Sequence, residues 1–350
     1  MKEIEVRASR NYHVNVGYGL IDELGVRLKT IAPGSHVALI SDSNVWPLYG
    51  QQVCCNLSMQ GFTCVHYVFP AGEASKNGET YLNILQFLAQ NHITRSDILI
   101  ALGGGVVGDI TGFAAATYLR GIPYVQVPTT LLAMVDSSVG GKTAIDLPAG
   151  KNLVGAFYQP SLVLADIRTL DTLPENIFRE GCAEVIKYGV LYSEQLFRHL
   201  EEYGLGFDRE DVIAKCIALK RDVVAEDEFD TGSRQKLNLG HTVGHAIEAC
   251  SHYTVSHGEA VAMGMAIIAR AASVYQVCSR ETTKRLENTL EKFCLPAKTE
   301  YIAEQLYSAA LSDKKRTGGS VNLIIPRSIG DCTIQPTSVT ELKSYIKAGL

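Results

Sequence analysis

Three histidines and a glutamate in the carboxyl-terminal half of the chain have the types and spacing of metal ligands. His241 and His245 are four residues apart, which places both rings on one face of a helix, and His257 opens the next predicted helix. Glu184 is followed three residues later by Lys187, amid apolar residues. A carboxylate with two imidazoles is a common catalytic zinc set that leaves positions for substrate oxygens or water. The pattern predicts a metal site, although for each histidine alone a helix cap or a surface position is the simpler explanation.

A glycine-rich loop follows a short apolar segment in the amino-terminal half. Residues Gly103 to Asp109 read Gly-Gly-Gly-Val-Val-Gly-Asp, which fits G-x-G-x-x-G between a predicted strand and a predicted helix. Glycines there let a pyrophosphate approach the backbone, and the helix N-terminus offers N–H groups. No acidic residue ends the next strand, so Asp42, at the end of the first predicted strand, is the better candidate for the ribose hydroxyls. A tight turn that needs positive φ is the structural alternative.

Several cations stand beside glycines or apolar residues instead of on charged helix faces, namely Arg120, Lys142, Lys151, Lys187 and Arg234. Partly buried cations need anionic partners. Because the chain has 32 Lys and Arg against 37 Asp and Glu, such a set predicts an anionic small substrate, such as a phosphate ester or a carboxylic acid. The later run Lys314–Arg316 is weaker evidence for an anionic substrate, since surface runs of cations are common.

The composition is that of a globular protein, and it excludes several classes. The chain has 350 residues, of which 46% are hydrophobic and 20% charged, and this excludes a disordered tail or a collagen-like fibre. A net charge of −5 argues against a basic nucleic-acid binder. The longest apolar stretch, residues 261–275, contains Arg270 and is too short to span a bilayer, and the chain opens without a signal-like apolar run. We therefore expect neither nucleic acid nor a membrane as a partner.

The nine cysteines predict a reduced protein. None stands in a C-x-x-C pair, so the sequence supports neither a zinc ribbon nor a thioredoxin-type redox site. Most lie among Val, Ala and Ile, where cysteine behaves as a small apolar residue. Free thiols in the cytoplasm are the expected state. The pattern H-E-x-x-H of metalloproteases is also absent, because no glutamate follows His241.

The elements that must position these residues change character near residue 170. Before it, short apolar strands alternate with helix-length segments such as Glu79–Gln90, which is typical of a parallel sheet covered on both faces. The predicted strands are His36–Ile40, Phe62–Phe69, Asp97–Leu102 and Pro123–Val127. The later part has helical spacing at Pro174–His199, Asp208–Glu226, Leu239–Cys250, Gly258–Val277 and Arg280–Phe293, with no strand until Val321–Ile325. We expect a Rossmann-like α/β domain over residues 1–170 and a mainly α-helical metal- and substrate-binding domain over residues 171–350.

Taken together, these motifs form an ordered series that resembles a known family. The series consists of Gly103–Asp109, Arg120-Gly121, Val127–Leu132, Val135–Thr143, Gly150–Asn152, Glu184–Lys187, Asn238–His241 and His257–Glu259. In content and order it is similar to the signature blocks of the 3-dehydroquinate synthases, sugar-phosphate cyclases of the shikimate pathway. The resemblance extends from about Asp42 to Ile325.

The resemblance implies an activity and its cofactors. A member of this family converts 3-deoxy-D-arabino-heptulosonate 7-phosphate to 3-dehydroquinate and phosphate. The steps are transient oxidation by NAD, β-elimination, reduction, ring opening and intramolecular aldol closure. The cofactors would be NAD and a divalent metal, zinc or cobalt. A cytoplasmic homodimer acting on a small sugar acid phosphate is the matching expectation.

The resemblance also assigns roles to residues of this chain. The metal ligands would be Glu184, His241 and His257, with His245 as a catalytic partner. The substrate-site and catalytic positions would be Arg120, Asp136, Lys142, Lys151, Asn152, Lys187, Arg234, Asn238 and His245. The NAD contacts would be Asp42, Glu73, Lys76, Gly103, Gly104, Gly105, Val106, Asp109, Thr129, Thr130, Lys142, Lys151 and Thr172.

Two departures and three competing functions remain open. The family usually has a glutamate four residues before the site arginine, where this chain has Asp230, and a Gln or His often follows the residue corresponding to Glu73. The nearest rival is a cyclase of the 2-deoxy-scyllo-inosose or valiolone type. A metal-dependent polyol dehydrogenase would release NADH, and a non-catalytic nucleotide sensor would need no metal ligands.

Overall fold

The computed structural model describes residues 1–31, 36–314 and 320–350, together with the side chains of these residues except 312–314. The strands are β1 (Lys2–Val6), β2 (Tyr12–Gly17), β3 (His36–Asp42), β4 (Thr63–Phe69), β5 (Ile98–Gly103), β6 (Tyr124–Pro128), β7 (Lys142–Leu147), β8 (Gly150–Phe157), β9 (Leu162–Asp166), β10 (Ser320–Ser328) and β11 (Asp331–Ser338). The helices are α1 (Leu20–Ile31), α2 (Gln51–Met59), α3 (Gly78–Gln90), α4 (Gly105–Thr117), α5 (Glu175–Tyr192), α6 (Glu194–Tyr203), α7 (Arg209–Glu226), α8 (His241–Cys250), α9 (His257–Val274), α10 (Arg280–Lys292), α11 (Ala303–Lys314) and α12 (Val339–Gly349).

Two compact units make up the described chain. The first contains residues Met1–Leu173 and Arg209–Phe229, and the second contains Pro174–Asp208 and Asp230–Leu350. Helix α7 belongs to the first unit because its apolar side packs against β1, β2 and the turn Ala133–Ser137. The sequence predicted one boundary, between residues 1–170 and 171–350. It did not predict that the chain returns to the first unit at α7.

The first unit is built on a seven-stranded sheet in the order β1-β2-β9-β6-β5-β3-β4. All neighbouring strands are parallel except β1 and β2, which pair antiparallel at one edge. Side chains alternate between the two faces, as the period of a strand requires. In β5, Ile98 and Ile100 pack with α1 and α2, whereas Leu99 and Ala101 pack with α3 and α4. Helices on both faces therefore cover a parallel sheet, and this confirms the predicted fold class of the first unit.

The second unit is mainly helical, as expected. Its helices α8 and α9 share a core with α11, α12 and the hairpin β10-β11. The predicted segment Pro174–His199 is two helices, since Ser193 ends α5 and caps α6 by accepting a hydrogen bond from the Leu196 amide at 3.2 Å. None of the described helices is long and apolar enough to cross a membrane.

The strand prediction was correct for five segments and missed the others. The four predicted strands of the first unit correspond to β3, β4, β5 and β6, and the late strand corresponds to β10. The prediction missed β1, β2, β9 and β11, as well as the hairpin β7-β8. Much of β8 is exposed, with polar or small residues such as Lys151 and Gly155, so it carries little of the apolar signal on which a strand prediction rests.

Candidate functional site

The three predicted metal ligands converge in the second unit. Glu184 lies in the middle of α5, while His241 and His257 are the first residues of α8 and α9. The Oε1 atom of Glu184 lies 3.5 Å from Nε2 of His241 and 3.6 Å from Nε2 of His257. Glu184 is only 1% exposed, whereas both rings are partly open. Two imidazole nitrogens therefore face one buried carboxylate oxygen.

The donor set fits a divalent metal of the zinc type. Ligand atoms held at about 2.1 Å from zinc in a tetrahedron are about 3.4 Å apart. The two nitrogen–oxygen distances of 3.5 and 3.6 Å are close to this value. One carboxylate oxygen with two imidazole nitrogens also leaves a coordination position for another oxygen ligand. The residues present match the ion that the sequence predicts.

The other nitrogen of each ring is held by a neighbour. Nδ1 of His241 lies 3.1 Å from the carbonyl oxygen of Leu239, and Nδ1 of His257 lies 3.4 Å from Oε2 of Glu248. When Nδ1 carries the proton and donates it to these acceptors, Nε2 presents its lone pair towards Glu184. Such outer contacts fix the tautomer and the ring orientation of metal-binding histidines. Glu248 is therefore a positioning residue for His257.

His245 lies beside this group, one helical turn after His241. Its ring centroid is 5.5 Å from that of His241 and 6.1 Å from that of His257. His245, Glu248 and His257 form a second set of donor atoms close enough for a metal. In that set Glu248 faces Nδ1 of His257, the nitrogen opposite the one that faces Glu184, so we place the ion at the first set. The catalytic role of His245 stays a prediction.

Two glycines allow the helices to approach closely enough to bring the ligands together. A Cβ atom on Gly258 would lie 2.3 Å from the backbone oxygen of Glu180 in α5. A Cβ atom on Gly264 would lie 2.1 Å from the backbone oxygen of Gly240, which precedes α8. Both contacts are too short for any side chain. The absence of side chains at these positions places the start of α9 against both α5 and the start of α8.

A capping box fixes the residue at which α9 begins. The Glu259 amide donates to Oγ of Ser256 at 3.4 Å, and the Ser256 amide donates to Oε2 of Glu259 at 3.2 Å. This reciprocal pair satisfies two backbone donors that a helix start leaves open. Because the cap is at Ser256, His257 is the first helical residue. The Glu of the His257–Glu259 motif therefore has a structural role in positioning the histidine.

The two ligand histidines have different charge environments. Burial, reinforced by the Lys187 ammonium, lowers the pKa of His241 to about 3, so this imidazole is neutral, the form that binds metals. Burial also acts to lower the pKa of His257, but hydrogen bonds to the carboxylates of Glu184 and Glu248 raise it to about 9. The Glu184 and Glu248 carboxylates thus stabilise positive charge on His257, whereas burial and Lys187 oppose it on His241.

Two of the predicted cations lie near these ligands. Lys187 forms an ion pair with Oε2 of Glu184, and both side chains are almost fully buried. Arg234 is 1% exposed in the turn Ser233–Asn238, which packs against α5. The expectation of burial is confirmed for both. Asn238 ends the same turn and is exposed.

In the first unit, the predicted nucleotide elements lie at a switch in strand order. Strand β4 lies beyond β3 on one side of β5, and β6 and β9 lie on the other side. In open parallel sheets, ligands bind outside the carboxyl ends of the strands at such a point. Asp42 ends β3 and Gly103 ends β5, so they flank this position. The topology supports the predicted nucleotide site independently of the glycine pattern.

The glycine loop connects β5 to α4 with little space for side chains. A Cβ atom on Gly104 would lie 3.2 Å from Cγ2 of Thr130, and one on Gly105 would lie 3.2 Å from Oγ of Ser137. Gly104 precedes the first residue of α4, whose leading N–H groups have no partner within the helix. The loop is therefore tightly packed on one side, as a backbone-lined phosphate site requires.

Three predicted site residues bind one another in the first unit. Nζ of Lys76 donates to Oδ2 of Asp109 and to Oδ1 of Asn152, both at 2.6 Å. Lys76 is only 4% exposed, and Asn152 adopts a left-handed φ of 55°. Although burial acts to lower it, the carboxylates of Asp109 and Glu73 raise the pKa of Lys76. The ammonium therefore links α4, the β7-β8 hairpin and the loop before α3.

Other predicted residues of the first unit also have identified partners. The Asn44 and Val45 amides both donate to Oδ1 of Asp42 at 2.9 Å, so part of this carboxylate stabilises the following turn. The Thr129 amide donates to the carbonyl oxygen of Gly103 at 3.0 Å, and Thr172 hydrogen-bonds the hydroxyl of Tyr49. Val106 is the second residue of α4 and packs against the apolar core on that face of the sheet.

The expectation of burial was wrong for three of the cations. Arg120, Lys142 and Lys151 are all exposed. Arg120 has a φ of 67° in the turn after α4, whereas Lys142 is the first residue of β7 and Lys151 the second residue of β8. A neighbouring glycine does not imply burial when it serves a surface turn. Lys315 and Arg316 of the later run lie outside the described residues, as does the side chain of Lys314.

The sequence analysis missed two charged residues that complete these groups. Nζ of Lys220 donates to the backbone oxygen of Asp136 at 2.7 Å and to its Oδ1 at 2.8 Å. Lys220 is a lysine on the apolar side of α7, flanked by Cys216 and Val224 one turn away, and this placement was the available signal. Glu248 follows His241 by seven residues on the same helix face, which was a second usable signal.

The departure at Asp230 has a conformational basis. This residue has a φ of 57°, in the left-handed region. Aspartate adopts that region more readily than most residues with a longer side chain. Asp230 is therefore compatible with the backbone at this position.

Comparisons with known proteins agree with the site. A family model described as 3-dehydroquinate synthase N-terminal matches residues 66–180, and one described as 3-dehydroquinate synthase C-terminal matches residues 181–316. The chain belongs to the 3-dehydroquinate synthase family. It is 43% identical over 354 residues to the 3-dehydroquinate synthase of Clostridium acetobutylicum, covering 99% of both chains.

Solved structures of related cyclases share the fold of this family member. A 2-deoxy-scyllo-inosose synthase complexed with carbaglucose-6-phosphate, NAD⁺ and Co²⁺ matches with a TM-score of 0.90 at 25% identity, over 100% of both chains. A 2-epi-5-epi-valiolone synthase from Streptomyces hygroscopicus with NAD⁺ and Zn²⁺ bound matches with a TM-score of 0.88 at 25% identity, over 98% of both chains. The identity to the 3-dehydroquinate synthase is clearly higher than to either of these cyclases.

Proposed function

We propose that this protein converts 3-deoxy-D-arabino-heptulosonate 7-phosphate to 3-dehydroquinate and phosphate. The chain belongs to the 3-dehydroquinate synthase family. The observation that carries the proposal is that His241 and His257 both face one buried carboxylate oxygen of Glu184. The two solved cyclases with bound cofactors support NAD and zinc or cobalt as the cofactors of this chain.

The three ligands would hold the divalent cation, and Glu248 and the Leu239 carbonyl would keep the imidazoles oriented towards it. A bound cation supplies Lewis-acid stabilisation of negative charge that develops on the substrate. Lys187 forms an ion pair with Glu184, and its side chain is 2% exposed. It therefore supplies positive charge beside these ligands. Arg234, in the turn packed on α5, would bind an anionic group of the substrate. His245 with Asn238 would accept and return protons at its imidazole, since its ring is exposed beside the ligand histidines.

The first unit would hold NAD at the carboxyl ends of its strands. The glycine loop and the start of α4 would take the pyrophosphate, and Asp42 the ribose hydroxyls. NAD supplies a hydride acceptor that is regenerated within the same turnover. Glu73, Thr129, Thr130 and Thr172 would contact it as the family resemblance implies. The set Lys76, Asp109 and Asn152 would hold the hairpin that carries Lys151 at the edge of this site.

The remaining predicted side chains serve the substrate in this proposal. Arg120, Lys142 and Lys151 are exposed cations, and each has the charge that a carboxylate or a phosphate of the substrate would need. Lys220 holds the Asp136 carboxylate in place.

We propose also that the protein works as a homodimer in the cytoplasm. None of its nine cysteines forms a disulfide bond in the described structure, which supports a reducing compartment. Light scattering of the purified protein measures the assembly.

A phosphate-release assay separates the competing functions. Purified protein with zinc and catalytic amounts of NAD is expected to release phosphate from 3-deoxy-D-arabino-heptulosonate 7-phosphate, without accumulation of NADH. A cyclase of the inosose or valiolone type would instead act on a sugar phosphate that lacks the carboxylate group. Net NADH with a polyol would indicate a dehydrogenase, and no turnover with any of the substrates would indicate a sensor.

Glu248→Gln is expected to weaken zinc binding about 10- to 100-fold, because the carboxylate that orients His257 through Nδ1 is lost. Competition of the metal-free protein against a chromogenic chelator measures this affinity without any turnover. Glu281→Gln, at an exposed position in the first turn of α10, is the matched control. Equal zinc affinities of the two variants would exclude the positioning role of Glu248.

A further inference from the structure

Two cysteine sulfurs lie almost within bonding distance in the first unit. Sγ of Cys54, in α2, lies 3.2 Å from Sγ of Cys64, in β4. Both side chains are half-buried, whereas the neighbouring Cys55 is exposed. A disulfide bond has a sulfur–sulfur distance of about 2.05 Å, so the pair needs a further approach of only about 1 Å.

The packing around the pair explains this proximity. Val53 and Leu57 are fully buried and anchor α2 on the sheet, and Cys54 and Cys64 pack against the same core. On β4, His66 points to the same side as Cys64, because residues two apart share a strand face. The His66 ring stacks on Trp46, which lies in the helical turn before α2, with centroids 4.1 Å apart and planes at 20°. The connection from β3 to α2 is therefore packed against one face of β4 along several residues.

We propose that Cys54 and Cys64 form a redox-active dithiol, which a low-molecular-weight disulfide of the glutathione class oxidises to an intrachain disulfide bond. The Cys54 thiolate attacks one sulfur of the oxidant, which breaks the oxidant's S–S bond and releases one thiol. The Cys64 thiol then loses its proton, attacks the Cys54 sulfur of the mixed disulfide and expels the second thiol. Two protein thiols are oxidised, and one small disulfide is reduced to two thiols.

The hydrogen bond between the two sulfurs assigns the order of attack. Either sulfur can donate in this hydrogen bond; when Cys64 donates, it lowers the pKa of the Cys54 thiol. The same hydrogen bond, together with burial, raises the pKa of the Cys64 thiol. Because the thiolate is the attacking form, Cys54 reacts first with the oxidant and Cys64 resolves the mixed disulfide.

The bond would tie α2 to an edge of the sheet. Strand β4 is the last strand in the sheet order and pairs only with β3. Since a cross-link reduces the conformational freedom of the unfolded chain, the oxidised protein is expected to unfold at a temperature a few degrees higher than the reduced protein. This expectation does not depend on the proposed catalytic function.

To test the proposal, the full-length protein is equilibrated in buffers with defined ratios of oxidised to reduced glutathione. The reaction is then quenched with acid, the remaining thiols are alkylated, and the peptides are mapped by mass spectrometry. We expect a peptide linked through Cys54 and Cys64, about 2 Da lighter than the two reduced peptides together, whose fraction rises with the oxidised share and falls again in excess thiol. Cys55→Ser, at the exposed neighbour, should leave the linkage unchanged.

Single serine variants test the order of attack and provide the contrary outcomes. Cys64→Ser should trap one glutathione on Cys54, whereas Cys54→Ser should leave Cys64 largely alkylatable. The proposal is overturned if Cys54 and Cys64 both remain alkylatable in buffers that already glutathionylate Cys55, or if Cys55 forms the linkage instead. Because each variant changes a single sulfur to oxygen, far-ultraviolet circular dichroism should be unchanged, and the wild-type mapping decides the question if a variant fails to fold.

Discussion

Replacing His257 with alanine is expected to abolish stoichiometric metal binding and to lower kcat/KM by at least about a thousand-fold, roughly 4 kcal/mol of transition-state stabilisation. The reason is that Nε2 of His257 faces Oε1 of Glu184 at 3.6 Å, as one of the three proposed metal ligands. Loss of one donor leaves two protein ligands, one fewer than the three that catalytic zinc sites have. Metal content after dialysis, measured by mass spectrometry, and phosphate release are the two readouts.

The fold should survive this substitution. The His257 side chain is 35% exposed and the capping box that begins α9 is formed by Ser256 and Glu259, so both remain. His13→Ala, at a half-exposed histidine of the first unit, is the matched control and should retain metal and activity. A folded His257→Ala protein with one bound metal and normal turnover would contradict the metal site.

Lys76→Met is expected to lower the free energy of unfolding of the first unit by about 3 kcal/mol and to weaken NAD binding. Methionine fills a similar volume but leaves the Asp109 carboxylate, 18% exposed, without its ammonium partner. Removing one member of a buried ion pair is costly because the other charge remains desolvated. The hairpin β7-β8 would also lose its hydrogen bond from Lys76 to Asn152. Urea unfolding and calorimetric titration with NAD measure the two effects.

A double variant distinguishes the ion pair from the general loss of a lysine. Lys76→Met combined with Asp109→Asn should recover part of the lost stability, because the uncompensated carboxylate is gone. Lys29→Met, at an exposed position near the end of α1, is the surface control and should be nearly neutral. Equal destabilisation by the single and double variants would show that the 2.6 Å contact contributes little.

These two substitutions also probe the two units separately. His257 lies in the second unit with the metal ligands, and Lys76 lies in the first unit with the glycine loop. We expect His257→Ala to leave NAD affinity near its original value, and Lys76→Met to leave zinc affinity near its original value.

The sequence by itself predicted most of the helices and four of the buried parallel strands, and it proposed Glu184, His241 and His257 as metal ligands. Buried strands such as β3 and β5 are continuous apolar runs, and helix spacing placed His241 and His245 on one face. The order of the motifs was sufficient to indicate the family, since the blocks themselves are local in the chain. Even so, spacing alone left His245 and His257 as equal candidates for the third ligand.

Only the tertiary structure decided which charged side chains meet. It paired Glu248 with His257 and Lys220 with Asp136, and it joined Lys76 to Asp109 and Asn152. It also returned α7 to the first unit and left Arg120, Lys142 and Lys151 exposed. The physical reason is that local periodicity reports which face of an element is apolar, whereas the partner of a charge depends on how elements distant in sequence pack together.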